Sequence, residues 1–369
     1  MHGPTLLYYG SMKVGLLVFA ILAAGCTASH EKSAAALPPS VKGTVLVALQ
    51  PNRLLRIEIK DSKVASQKEY KLIMPKGVQI KAEGFGSMSG PRDGKFVIHL
   101  NHEVLAIGQI PSDAQTSIKL TSLGIKDRTG FFATLSPDGR RLAYLKVTEN
   151  VGNIMPGYKG DLIVRDLDSG KDSVLLKGTY DMPIAWTADS KSLLHLGDAS
   201  PTEVSQISKD MGVDVGSDPG ALIKLDIASK ARTIVSVLGS FPVVSETGDR
   251  ALICISNTQK HDSPLLPKLL TFDPDSKQSA ANYKSIDDLS WDPLYLHRPL
   301  AIFSDDVVLY AGTTYQVTAD GVNLNQNITQ KNVEMDHESV SINLFYLKTK
   351  TKTKLVTLDK DVVACSFGY

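Results

Sequence analysis

Residues 134–145, TLSPDGRRLAYL, read as a β-hairpin: a hydrophobic approach, a Ser136-Pro137-Asp138-Gly139 turn, then an alternating strand. The residues on either side of it decide whether the turn is isolated or is one copy of a repeat. DLIVRDLDSGKDSVLL (161–176) supplies a second strand pair around a turn at Asp168–Lys171. About fifty residues on, IAWTADSKSLLHL (184–196) repeats the first half, with Asp189 in the place of Asp138, and ALIKLDIASKARTIV (221–235) repeats the second. PVVSETGDRALICI (242–255) with KLLTFDPDSKQSA (268–280) is a further copy. LSWDPLYLHRPLAIFSDDVVLYAG (289–312) with INLFYLKTKTKTKLVTL (342–358) is another. Upstream, GFGSMSGPRDGKFVIHL (84–100), EVLAIGQI and TSIKLTSL complete one more.

Each unit holds four short strands, a to d. A lone four-stranded sheet cannot bury both faces, so such units are stable only when packed on neighbours, as in a propeller. Complete sets begin near residues 80, 130, 182, 240 and 286. GTVLVAL, RLLRIEI and SQKEYKLIM supply strands b, c and d of a first set that lacks a, while DVVACSFGY (361–369) is a strand a without partners. Joining the two termini predicts an all-β fold: a six-bladed β-propeller of four-stranded antiparallel blades, closed by the C-terminal strand in the N-terminal blade. Packed sandwiches would leave the repeat unexplained.

Ser136-Pro137-Asp138-Gly139-Arg140-Arg141-Leu142-Ala143, with DLIVRDLDSG after it, resembles the TolB-type propeller repeat, which is similar to repeats in the non-catalytic propellers of prolyl oligopeptidase-like enzymes. The resemblance implies the fold and not an activity. TolB itself is not expected, because its family carries an additional N-terminal α/β domain.

MKVGLLVFAILAAGC (12–26) carries Lys13, then the apolar run Val14–Ala24, then small residues directly before Cys26. The run is short for a bilayer span. This resembles the bacterial lipoprotein signal, although Ala23 stands where that family usually has Leu. The resemblance implies cleavage before Cys26 and its acylation by palmitate-class chains, with Met12 a plausible true start. An ordinary secretory signal with an incidental cysteine is the competing reading. Thr27, rather than Asp, at the next position implies an outer-membrane destination, facing the periplasm or the cell surface. Buried acyl chains contribute about 0.8 kcal/mol per methylene, so several anchor stably. The expected organisation is a signal peptide at 1–25, a lipidated tether at 26–41 and a propeller at 42–369.

In such a meander the a–b and c–d turns share one face of the ring and the b–c loops the other. The former are short, whereas the b–c segments 149–159, 197–219, 257–267 and 313–339 are long. Long loops gathered on one rim make that face the expected binding surface. Asp287, Asp288 and Trp291, at the expected start of a strand a, are candidate ligand-binding residues for a cationic or sugar-like group. Packing and capping is the favoured alternative. Asp210, Asp214 and Asp218 are weak candidates for calcium, but their spacing matches no known loop. Asp336-His337-Glu338 combines ligand types on adjacent residues, which rarely converge on one ion. His195 and His297 read as structural.

GFGSMSG (84–90) lacks the G-x-S-x-G register of a nucleophile elbow, and the sialidase box fails at Arg140. Cys254 and Cys365 read as buried apolar residues rather than a disulfide. Lys348, Lys350, Lys352 and Lys354 read as edge-strand charges that discourage aggregation, a basic patch for anionic partners being the alternative. The chain has formal net charge +1, which gives no footprint for nucleic acid. The expectation is a monomeric, lipid-anchored binding or scaffold protein of the cell envelope, without cofactor or catalytic residues, docking an envelope protein or cell-wall ligand. A lactonase-like or glycan-cleaving propeller hydrolase with a channel-mouth site is the alternative.

Overall fold

Valines and leucines alternate along residues 43–49, and the computed structural model shows why every position of the stretch is apolar or small. It describes residues 40–368 except 81–84, 102–103, 126–132, 151–157, 180–181, 199, most of 201–219, 238–239, 246–249, 256–265, 272–281, 286–297, 304–306, 319–333 and 360–361. Strands β1 (Gly43–Leu49), β2 (Arg53–Lys60) and β3 (Lys63–Ile73) form an antiparallel meander. Val45, Val47 and Leu49 point into one core, while Leu46 and Ala48 point into the next. A strand buried on both faces is what stacked blades require.

The second sheet begins with β4 (Phe85–Arg92), β5 (Lys95–Leu100) and β6 (Val104–Gln109). Its expected outer strand, TSIKLTSL, is split into β7 (Ser117–Lys119) and β8 (Thr121–Ser122). β8 stays with β6, but β7 crosses to run parallel to β3, Leu72 facing Ile118. Ile118 and Leu120 both bury into the core between these sheets, which draws the segment across and covers the edge of β3.

Three regular sheets come next along the chain. They are β9 (Thr134–Leu135), β10 (Arg141–Asn150), β11 (Tyr158–Asp166) and β12 (Asp172–Thr179); then β13 (Met182–Trp186), β14 (Ser192–Asp198), β15 (Gly220–Asp226) and β16 (Arg232–Val237); then β17 (Ser240–Val244), β18 (Arg250–Ile255), β19 (Leu266–Thr271) and β20 (Asn282–Ser285). A last regular sheet holds β21 (Arg298–Phe303), β22 (Val307–Thr318), β23 (Glu334–Tyr346) and β24 (Thr351–Asp359). The final strand, β25 (Val362–Gly368), pairs antiparallel with β1, Val47 facing Cys365.

The protein is thus an all-β propeller with antiparallel four-stranded blades. Six such blades are expected and five four-stranded sheets are found; the remaining sheet, in the order β25-β1-β2-β3-β7, carries a fifth strand because β7 has crossed to it. Inner strands touch in the sequence β25, β4, β9, β13, β17, β21 and back to β25. At the closure, a Cβ on Gly368 would sit 2.0 Å from the Pro91 carbonyl, so only glycine lets β25 approach β4 this closely. Phe303 meets Phe367 edge-on at 5.5 Å, joining β21 to the closing strand. Residues Pro38–Tyr369 make up one compact unit.

One expected boundary shifts. The segment 313–339 is not all loop, because β-branched and aromatic residues in TTYQVT carry β22 to Thr318, and β23 starts at Glu334. Asp336, His337 and Glu338 therefore lie on a strand rather than in a loop. Inner strand β21 is described from Arg298 onward, and Asp287, Asp288 and Trp291 lie outside the described residues.

Candidate functional site

The strand ends place the long connections together. β10 to β11, β14 to β15, β18 to β19 and β22 to β23 are all b–c links and leave from the same end of their sheets. Most of their residues fall outside the described set, and so do Asp210, Asp214, Asp218, His297 and Cys26. In the second link Thr202, Ser205 and Lys209 have helical backbone. The site residues expected from sequence are therefore not brought together by any described geometry.

The opposite face is described in detail, and its chemistry is turn chemistry. In the hairpin that opens at Ser136, the Ser136 hydroxyl donates to the Asp138 carboxylate and accepts from Arg141 N–H at 2.9 Å. The same carboxylate accepts from Arg140 N–H at 3.1 Å. Thr187 repeats this arrangement, donating to Asp189 at 2.7 Å and accepting from Ser192 N–H at 3.0 Å, while Lys191 N–H donates to Asp189 at 2.9 Å. Ser245 is a third copy, accepting from Arg250 N–H at 3.1 Å. Ser136 and Thr187 are buried, so these hydroxyls replace backbone partners that water cannot reach. Gly139 closes the first turn at φ 65°, and Ser190 takes the matching position at φ 59°.

The c–d turns share a second pattern. Asp166 accepts from both the backbone N–H and the hydroxyl of Ser169 at 2.7 Å, and Asp226 does the same for Ser229 at 2.7 Å. For Asp138 and Asp189 burial pushes the carboxyl up, but the turn donors and neighbouring cations outweigh it and hold both below the usual carboxylate range. Asp166 is lowered chiefly by the Ser169 hydroxyl, and Asp226 chiefly by the Ser229 N–H. Burial raises the Tyr144 phenol, whose hydroxyl donates to Asp172 at 3.2 Å. Asp172 in turn pairs with Arg165 at 2.7 Å.

Side chains from these turns tie neighbouring sheets. Trp186 donates its indole N–H to the Thr134 carbonyl at 3.0 Å, and the Arg141 guanidinium lies 5.3 Å above its ring. Arg141 also donates to the Ser190 carbonyl, and Asp138 N–H to the Ser190 hydroxyl at 3.3 Å. Ser89, from the stretch read as a glycine-eased approach, accepts from Leu135 N–H at 3.0 Å. Lys95 reaches the Gly139 carbonyl at 3.3 Å and Lys230 the Val174 carbonyl at 3.2 Å. The recurrence of Ser/Thr-x-Asp at 136, 187 and, without the acid, 245 was the signal in the sequence for the hairpin turns, not for the ties between sheets.

His195 and Cys365 are buried, Cys365 among the apolar residues between β1 and the β21–β24 sheet. Cys254 lies on β18. Among the described residues no three metal-ligating side chains cluster, and no helix is long and apolar enough to cross a membrane.

Structural comparison agrees with the topology. A chain of TolB from Acinetobacter baumannii superposes with TM-score 0.54 at 11% identity, over 88% of this chain and 66% of that one. A chain from a nidogen/laminin complex gives TM-score 0.51 at 11% identity, over 88% and 98%. A TolB-like protein from Agrobacterium tumefaciens gives 0.49 at 14% identity, over 87% and 90%. No protein-family model matches the chain, and no curated protein does. The fold is a TolB-like propeller.

Proposed function

We propose that the chain is a lipid-anchored binding or scaffold protein of the bacterial cell envelope. Its ring has six blades, the closing sheet being the sixth, with β7 as an outer addition. Acylated Cys26 holds it to a membrane, the outer one favoured, and the loop-rich face meets an envelope protein or cell-wall material. One observation carries the choice of face. On the short-turn face the carboxylates of Asp138, Asp166, Asp189 and Asp226 are each engaged by donors of their own turn. A face whose polar groups hold its own hairpins has few left for a ligand, whereas the long b–c links all leave from the other side. Asp287, Asp288 and Trp291 are then candidates for a channel-mouth contact.

The test is mass analysis of the mature N-terminus, then crosslinking of the protein in its membrane. Acyl mass on Cys26 and crosslinks confined to residues 151–157, 199–219, 256–265 and 319–333 are expected. A Cys26 without acyl mass removes the anchor, and crosslinks from the short-turn hairpins remove the assignment of face. A stoichiometric metal in the purified protein, lost in an Asp287→Ala or Asp210→Ala variant, overturns the non-catalytic reading in favour of a hydrolase.

A further inference from the structure

We infer that the outer rim where the closing sheet adjoins the β21–β24 sheet is a docking surface for anionic lipid headgroups, and that the anchored ring turns this corner toward its bilayer. The inference rests on the lipoprotein reading above. Seven exposed lysines gather on these two sheets: Lys42, Lys60 and Lys63 around the β2–β3 turn, and Lys348, Lys350, Lys352 and Lys354 around the β23–β24 turn. Both turns lie at the short-turn end, and their sheets share one core through Val41, Ile59, Leu344 and Tyr346. Against these lysines stand Asp61, Glu58, which pairs with Arg56, and, outside the described residues, Asp305 and Asp306. Across the same face, the lysines and arginines are interspersed with Asp138, Asp166, Asp168, Asp189 and Asp226.

Two further observations point to a membrane. First, the segment that leads into β1 is fastened at this corner. The Ser40 hydroxyl donates to Asp61 at 3.0 Å, Val41 N–H donates to the Ser62 hydroxyl at 3.0 Å, and Ser62 N–H returns to the Val41 carbonyl at 3.0 Å. The segment from Cys26 to Ser40 would span about 20 Å as a coil, so an acylated Cys26 keeps the corner near the lipid surface. Second, the β23–β24 turn keeps the backbone of its counterparts without their lock. Gly170 N–H, Lys230 N–H and Lys350 N–H close equivalent turns onto Asp166, Asp226 and Tyr346 carbonyls at 2.9, 2.9 and 2.8 Å. Tyr346 has replaced the carboxylate, Lys348 stands where Asp168 does, and Lys350 holds φ 56° where Gly170 holds 70°. Edge protection accounts for Lys352 and Lys354 on β24, but not for lysines at turns and strand ends.

Each lysine near an anionic surface raises partition roughly fivefold, an effect screened by salt. The test uses the full-length acylated protein in vesicles of phosphatidylcholine, with and without phosphatidylglycerol, and reads amine acetylation at each lysine by mass spectrometry. In the anionic vesicles, modification of the seven lysines should fall several-fold while Lys171 and Lys191 stay unchanged, and high salt should erase the difference. Replacing Lys348, Lys350, Lys352 and Lys354 by Gln, all on exposed positions, should restore modification of Lys42, Lys60 and Lys63. Equal modification in both vesicles, or an equal fall at Lys171 and Lys191, overturns the inference while leaving the anchor intact. Absence of acyl mass on Cys26 is the separate failure of the lipoprotein reading.

Discussion

The β11–β12 and β23–β24 turns have the same backbone and opposite chemistry. In the first, Asp166 grips Ser169 and Gly170 takes the left-handed residue; in the second, Tyr346, Thr349 and Lys350 occupy those places. Only one of the two needs its side chains to make the turn. Where the carboxylate lock is present, polar residues serve the fold and are spent on it. Where it is absent, the hairpin is held by strand pairing from Tyr346–Thr351 onward and by the buried Leu344 and Phe345 behind it. Its exposed residues, Lys348, Thr349 and Lys350, take no part in such a lock.

The sharpest way to break the comparison is to remove the packing that supports the locked corner. Trp186 is buried, bonds the preceding sheet through Thr134 and carries Arg141 on its ring. Trp186→Ala should cost about 3–5 kcal/mol in denaturant unfolding. A loss near zero would mean that the tie between these sheets is decorative. Next come the buried hydroxyls: Ser136→Ala and Thr187→Val should each cost about 1–3 kcal/mol, because each strands a backbone N–H that water cannot reach. Equal effects at the two positions would establish that the hairpins are energetic as well as geometric repeats.

These hydroxyls also show what could be read from the chain. The strands β1, β2 and β25 were legible because each is a short apolar or alternating run ended by turn residues, and the closure came from an N-terminal set lacking strand a and a C-terminal strand a without partners. The hairpin at 134–145 was legible because Ser-Pro-Asp-Gly fixes its own backbone. The crossing of β7 was not, since TSIKLTSL alternates equally well on either sheet and only the burial of Ile118 and Leu120 decides. Ties such as Ser89 to Leu135 join residues of different blades, and no local pattern encodes them.

Acid should separate the corners more gently. The carboxyls of Asp138, Asp166, Asp189 and Asp226 sit below their ordinary values in the folded chain. Their contribution is therefore complete above the unfolded value of about 3.9 and is lost as pH falls through the lower folded values. Amide exchange at Gly139, Ser169 and Ser229 should accelerate below about pH 4, relative to Lys350, whose turn has no such carboxylate. Parallel acceleration at Lys350 would show that acid loosens the ring as a whole.

The smallest effect is the most specific. Lys350 holds φ 56°, a conformation that costs a side-chain-bearing residue and not glycine. Lys350→Gly should therefore stabilise the protein by about 0.4–1 kcal/mol, offset in part by the greater freedom of glycine in the unfolded chain. The same substitution at Lys230, where Asp226 and Ser229 already hold the turn, should gain less. If Lys350→Gly gains the larger amount, the lysine is kept at a cost in stability, as a residue selected for its charge would be. If instead it destabilises, the lysine is part of what makes the turn, and the contrast with Asp166 disappears.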